Sequence, residues 1–267
     1  MKRILLIGKG GQVGTSIGKQ AEGFGFKLFS FNKEELEVTN ELQPESQIKK
    51  VKPDILINTS AYHVLSDCEK NPLDAMSVNF EAVHKLARLC KKHNIKFVTY
   101  STDYVFDGKK GSPYVEDDVP NPLQIYGISK LAGEYAAVNL FSEGAFVVRT
   151  CGVYGSKEGS ISRKGNFVLN ILKEAKDKNE IEVSSEQIIS PTFADDLSEA
   201  TLKLLAKEAN PGIYHLINKG YCSWYEFTKE IFESAKLEKK IIPVDRHGLG
   251  GEMMRPKFSA LENTKAK

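Results

Sequence analysis

Apolar positions recur along this chain in two rhythms. Ile4-Leu5-Leu6-Ile7 is an unbroken apolar run of the kind a strand covered on both faces of a parallel sheet requires, and residues 26–31, 54–58, 96–100 and 145–149 read as further strands. Between them the spacing changes to three and four. Residues 44–51 predict a short helix, and residues 73–93 a long one with its stripe at Ala75, Val78, Asn79, Ala82, Val83, Leu86, Leu89 and Cys90. A third helix is predicted over residues 123–140, with Leu123, Ile125, Tyr126, Leu131, Tyr135 and Val138 as its apolar positions. Strand alternating with helix predicts an α/β fold, a Rossmann-like doubly wound parallel sheet.

Beyond residue 150 the pattern predicts a smaller lobe. A helix opens at Gly165-Asn166-Phe167, another follows Pro191 with Thr192 as its cap and Asp195 and Asp196 favoured in its first turn by the helix dipole, and a third opens at Ser223. Residues 212–218 and 241–244 read as extended. The expected division is a dinucleotide-binding domain over residues 1–150 and a mainly substrate-binding α/β lobe over residues 151–267, interleaved so that parts of 185–220 return to the first domain. Residues 67–69 read as a loop, and residues 156–166, polar and aperiodic, as a mobile loop over the active site.

Composition narrows the class without adding chemistry. With 37 basic and 35 acidic residues in 267 and no basic block, nothing points to nucleic acid. Cys68, Cys90, Cys151 and Cys222 are far apart with no C-x-x-C, so they read as buried free thiols, not as a zinc site or redox pair. No metal site is expected. The run before Gly8 is too short for a signal peptide, and no apolar run approaches membrane-spanning length, so a cytoplasmic protein is expected.

Two constellations carry candidate chemistry. Gly8, Gly11 and Gly14 follow the first strand at a G-x-x-G-x-x-G spacing, which suits a tight turn, a backbone close to a pyrophosphate, and close packing of helix on strand. The tip of the second strand is Asn32-Lys33. A neutral residue followed by a cation removes the repulsion an acidic residue would offer a 2′-phosphate, so NADPH is admitted beside NADH. The second constellation is Ser101-Thr102-Asp103-Tyr104-Val105-Phe106-Asp107-Gly108, directly after a strand, followed by Tyr126-Gly127-Ile128-Ser129-Lys130. On a helix, residues four apart share a face, which would put the Lys130 ammonium beside the Tyr126 phenol and lower its pKa. Thr102 could hydrogen-bond the substrate oxygen that Tyr126 protonates. Glu116, Asp117 and Asp118, consecutive in a proline-flanked loop, read as solvated surface.

Taken together, the glycine turn, the Ser-Thr-Asp-Tyr-Val-Phe-Asp-Gly stretch and Tyr126-x-x-x-Lys130 resemble the dTDP-4-dehydrorhamnose reductase family of the extended short-chain dehydrogenase/reductase superfamily. The resemblance spans nearly the whole chain. It implies NAD(P)H-dependent reduction of the 4-keto group of a nucleotide-linked deoxysugar, with Thr102, Tyr126 and Lys130 catalytic. It further implies that Gln12, Val13, Ala61, Tyr62, His63 and Tyr100 line the cofactor, with Glu37-Val38 on its adenosine side. Asp103, Asn166 and Arg255 would contact the substrate, Arg255 by gripping a diphosphate bidentately. The partner implied is the nucleotide sugar, with a homodimer as the open candidate for assembly. Gly152 stands where a sugar-packing tryptophan is common in the family, and relatives usually continue into one more helix after residues 255–261. A sugar-nucleotide epimerase or 4,6-dehydratase shares these motifs, but a dehydratase adds an Asp-Glu pair after the threonine and this chain has Asp103-Tyr104. A nucleotide-binding regulatory subunit like that of methionine adenosyltransferase is the alternative outside enzymes.

Overall fold

The computed structural model describes residues 1–160, 165–245 and 253–266. In the first half, strands and helices alternate: β1 (Lys2–Ile7), α1 (Gln12–Gln20), β2 (Phe26–Phe31), α2 (Leu42–Val51) and β3 (Ile55–Asn58). Then come α3 (Leu65–Lys70), α4 (Pro72–Met76), α5 (Ala82–His93), β4 (Lys96–Thr102), α6 (Ile125–Leu140) and β5 (Ala145–Thr150). The later elements are β6 (Val153–Tyr154), α7 (Phe167–Asp177), β7 (Glu180–Ser184), β8 (Ile188–Ile189), β9 (Thr192–Phe193) and α8 (Ala194–Ala206). The described chain closes with β10 (Gly212–His215), β11 (Cys222–Ser223), α9 (Trp224–Ser234) and β12 (Lys240–Val244).

Six strands form one parallel sheet in the order β10-β5-β4-β3-β1-β2. This is the Rossmann-like architecture the apolar runs predict. Successive residues of each strand feed opposite faces: Leu5, Ile7, Leu56, Phe97 and Val147 pack with Leu86 of α5, whereas Ile4, Leu6, Ile57, Val98 and Val148 pack with Ile17 of α1 and Leu197 and Leu202 of α8. That double burial is why the strands read as continuous apolar runs. Strand order reverses at β1, so the turn after β1 and the loop after β3 flank the crevice where open α/β sheets take ligands. A separate apolar cluster joins Ile171, Ile181, Val183, Ile231 and Phe232 of α7, β7 and α9, and there the Phe167 and Trp224 rings approach to 4.2 Å.

Several local expectations are corrected. Residues 67–69 lie in α3, not in a loop, and Glu69 accepts the Ile125 N–H at 2.8 Å, satisfying a donor at the start of α6. The helix over 73–93 is broken by a π-helical turn, Ser77–Glu81, between α4 and α5. Helix α6 starts at Ile125, and its buried residues are Gly127, Ser129, Lys130, Gly133, Glu134 and Ala137; Tyr135, counted in the apolar stripe, is 49% exposed. Glu116 is buried, not solvated, because it accepts from the His215 N–H and from both the N–H and hydroxyl of Thr264. Thr192 does not cap α8; its hydroxyl donates to the Ser190 carbonyl, and the capping position falls to Phe193. Within the loop expected over 156–166, Glu158–Ser160 forms a short 3-10 turn and residues 161–164 lie outside the described residues.

Candidate active site

The cofactor turn is built by steric exclusion. Gly8 has φ +94°, and a Cβ there would stand 2.5 Å from Thr59 Oγ1; at Gly14 it would stand 2.2 Å from the Gly8 carbonyl. Only glycine lets β1, the loop after β3 and α1 meet so closely. At Gly10 nothing lies within 4 Å of where a Cβ would be, while Gly159 packs onto the start of α1, where a Cβ would stand 2.7 Å from Gln12 Cα. Helix α1 begins there with no side-chain cap and no acidic residue in its first turn. Such an end favours a pyrophosphate. The buried Asn58 Nδ2 at the end of β3 has no hydrogen-bond partner among the described residues, a donor in keeping with a ligand in this crevice. These features fit a dinucleotide.

Around the turn, side chains are tied to one another. Gln12 Oε1 accepts from Asn166 Nδ2 at 3.3 Å, and the same Nδ2 donates to the Gly155 carbonyl at 2.9 Å. Asn166 Oδ1 accepts the Leu169 N–H and caps α7, so this buried residue braces the cofactor turn. The Val13 carbonyl accepts from Ser198. Asn32 and Glu35 cap each other reciprocally, at 3.0 and 2.9 Å, while Lys9 pairs with Glu35 at 2.7 Å and Lys33 with Glu37 at 3.6 Å. Ala61 and Tyr62 are half-buried and His63 is exposed on the loop after β3. Tyr100 is turned elsewhere: its hydroxyl donates to Thr201 of α8 at 2.9 Å inside the core.

Catalytic candidates gather at the carboxyl end of β4. That strand runs two residues further than the apolar run, so Thr102 sits in the sheet opposite Thr150. Thr102 Oγ1 accepts the Tyr104 N–H at 3.1 Å and donates to Asp103 Oδ1 at 3.1 Å. Helix α6 is drawn tightly onto this corner, since a Cβ at Gly127 would stand 2.2 Å from the Tyr104 carbonyl and one at Gly133 the same distance from the Asn79 carbonyl. Burial pushes the Tyr126 phenol above its ordinary pKa, the Asp103 carboxylate adds to this, and the Thr102 hydroxyl pulls it back. Among the described residues Lys130 makes no hydrogen bond to the phenol; its buried side chain lines a narrow gap with Asn79, Ser101 and Glu134. Burial brings Lys130 down to about 8, against the opposing pull of Glu134.

The structure brings Thr102 and Tyr126 together and sets Lys130 one turn deeper. Asp103 is enclosed, taking a hydrogen bond from Ser259 Oγ at 2.6 Å, and burial raises its pKa. Ser259 belongs to the terminal segment that also carries Arg255. That segment lies on Gly108, where a Cβ would stand 2.6 Å from the Pro256 side chain, which explains the glycine ending the Ser-Thr-Asp-Tyr-Val-Phe-Asp-Gly stretch. Arg255 acts on Tyr104, lowering a phenol pKa that burial raises, and its Nε is buried with no hydrogen-bond partner among the described residues.

Asn79 is the residue the pattern concealed. It counts as one position of an apolar stripe, yet its Oδ1 accepts the Tyr62 N–H at 2.9 Å while its Nδ2 donates to the Tyr62 carbonyl at 2.8 Å and to Ser129 Oγ at 3.0 Å. It thereby ties the cofactor-side loop to the catalytic helix. A polar residue within an apolar stripe was the available signal, and the π-helical turn that aims it was not.

A Rossmann-like crevice with a phosphate-ready turn, a tyrosine and threonine at the end of β4 and a lysine one turn deeper, describes a nicotinamide-dependent oxidoreductase of the short-chain dehydrogenase/reductase type. The chain belongs to the RmlD substrate binding domain family, which it matches over residues 1–267. It is 36% identical over 263 residues to the spore coat polysaccharide biosynthesis protein SpsK of Bacillus subtilis, covering 98% of this chain and 90% of that protein. It is 34% identical to a dTDP-4-dehydrorhamnose reductase of Aggregatibacter actinomycetemcomitans, over 90% of this chain and 81% of the relative. Its fold superposes on the dTDP-4-dehydrorhamnose reductase of Bacillus anthracis solved in complex with NADP, with TM-score 0.91 and 32% identity over 98% of this chain and 91% of that one. The chain is an NAD(P)H-dependent oxidoreductase. Among the described residues no helix is long and apolar enough to cross a membrane, and no group of three or more histidine, cysteine, aspartate or glutamate side chains is placed to hold a metal ion.

Proposed function

We propose that this protein reduces the 4-keto group of a nucleotide-linked deoxysugar, most simply dTDP-4-dehydro-L-rhamnose to dTDP-L-rhamnose. The observation that carries the reading is the meeting of the Tyr126 phenol and Thr102 hydroxyl at the carboxyl end of β4 beside the glycine turn. Bound NAD(P)H supplies the hydride that goes to the carbonyl carbon. Tyr126 gives its proton to the oxygen, and Thr102, its hydroxyl turned from Asp103, donates a hydrogen bond to that oxygen as charge develops. Lys130, on the same helix face, would supply the positive charge that favours a phenolate and would hold the nicotinamide ribose. Gly8, Gly11, Gln12, Val13 and Gly14 hold the pyrophosphate, with Ala61, Tyr62 and His63 along the dinucleotide. Lys9 and Lys33 offset the Glu35 and Glu37 carboxylates near the adenosine ribose, which admits NADPH as well as NADH.

On the substrate side, Arg255 takes the diphosphate. Its buried, unpartnered Nε supports that role. Asp103 and Asn166 act through their neighbours, the first by fixing Thr102 and the terminal segment, the second by fixing Gln12. The test is incubation with dTDP-4-dehydro-L-rhamnose and each reduced nicotinamide, following its absorbance. One equivalent should be consumed per sugar reduced, and Tyr126→Phe should lower kcat/KM by about 10²–10⁴-fold in a folded protein that still binds cofactor. Cofactor recycled without net consumption would point to an epimerase, and an unchanged rate in Tyr126→Phe would remove the tyrosine from the chemistry.

A further inference from the structure

Tyr126, Lys130 and Glu134 stand at intervals of four on one face of α6, and the last of them has no part in the reaction described above. Its carboxylate is 1% exposed and more firmly held than any other acid near the site. Arg149 Nε donates to both oxygens at 3.0 and 3.1 Å, Arg149 Nη2 donates to Oε2 at 2.7 Å, and Ser101 Oγ donates to Oε1. The guanidinium in turn lies 5.2 Å from the centre of the Phe106 ring. Ser101 and Arg149 face each other across β4 and β5, one rung below Thr102 and Thr150. The rung beneath the catalytic threonine therefore grips the acid beyond the catalytic lysine.

We propose that Glu134 is the positioning residue of Lys130: its carboxylate, clamped by Arg149 and Ser101, is the counter-charge that keeps the buried ammonium in place and charged. The two side chains line the same narrow gap with Asn79 and Gly133. Titratable and charged groups at this helix face are Tyr126 and Glu134 of α6, Tyr100 of β4, Asp103 and Tyr104 after it, Arg149 of β5, and Cys68 and Glu69 of α3. The π-helical turn and α5 contribute uncharged Asn79 and Val83, and Asp74 of α4 is exposed to solvent. Of these groups only Glu134 pulls Lys130 towards its charged form. A buried ion pair alone is weak grounds for a stabilising role, and replacing both partners by neutral groups of similar size is often tolerated. Its place beside the lysine is what gives this pair a purpose.

The activity arm of the test rests on the reductase reading and the titration arm does not. Lysine labelled with ¹³C at Cε is titrated in the full chain, with the Lys130 resonance identified by its loss in Lys130→Arg. In the double variant Glu134→Gln with Arg149→Met, which leaves neither member of the Glu134–Arg149 pair behind as a lone charge, the Lys130 midpoint should fall by about one unit or more. Keto reduction at pH 8 should then fall about fivefold or more while at pH 6 it stays within about threefold. Glu134→Asp keeps the charge and the arginine partner one methylene further away, and should restore most of the midpoint. An unshifted midpoint in the double variant, or in Glu134→Asp a fall as large as in the double variant, overturns the proposal and leaves the pair a structural one. If the double variant does not fold, Glu134→Gln alone decides: a lowered midpoint supports the proposal, and an unmoved one overturns it. Absence of turnover in the wild-type protein with an intact titration shift would instead count against the reductase reading.

Discussion

Helices α5 and α6 pack against each other beside the same sheet, yet they bury opposite kinds of surface. Helix α5 buries Ala82, Val83, Leu86, Ala87, Leu89 and Cys90, as an amphipathic pattern should. Helix α6 buries two glycines, a serine, a lysine, a glutamate and an alanine, and leaves Ile128 and Tyr135 partly in solvent. One helix is held by apolar area; the other is held by backbone approach at Gly127 and Gly133, by Asn79, and by the Glu134–Arg149 pair. The contrast shows where stability and chemistry part. A helix that must deliver a phenol and an ammonium into a crevice gives its buried face to polar groups, and neighbours then satisfy them.

The comparison can be broken at several points. Gly133→Val should be the most damaging, because the new Cβ would stand 2.2 Å from the Asn79 carbonyl, and denaturant unfolding should show a loss above about 3 kcal/mol. Leu86→Ala in α5 should cost about 2–4 kcal/mol by the same measurement and leave KM for the nucleotide sugar unchanged, since only packing is lost. Glu69→Ala removes the acceptor of the Ile125 N–H and should cost about 1 kcal/mol, with a larger fall in kcat than in stability if it loosens the start of α6. Ile128→Lys, on the 44% exposed side of α6, should stay within about 0.5 kcal/mol of the wild type.

Elements whose partners are summed over a whole face were legible in the chain. The run at residues 4–7 falls within β1 and all four of its residues are buried, because a strand covered on both sides needs apolar residues facing both ways. The glycine turn was legible too, since its purpose is local. What escaped depends on partners distant in sequence. Glu116 lies in an acidic run, and nothing nearby reveals that His215 and Thr264 donate to it. Asp103 and Asn166 carry the residue types of sugar contacts, but Ser259 and Gln12 occupy them. Lys130 was recognised by its spacing from Tyr126, while its depth was hidden because its buried neighbours, Ser129 and Glu134, are polar.

That depth is the central claim. Burial lowers Lys130 to about 8, so the native state bears a penalty for the charged form below that pH, and the penalty fades as pH rises from 8 towards the ordinary lysine value of 10.5. The most direct test is the unfolding free energy of wild type and Lys130→Met between pH 6 and 10, with turnover measured on the same samples. The methionine variant should be inactive and more stable by about 1–3 kcal/mol at pH 7, with the difference shrinking above pH 8. A variant that is less stable at pH 7, or a difference that does not change with pH, would contradict the account.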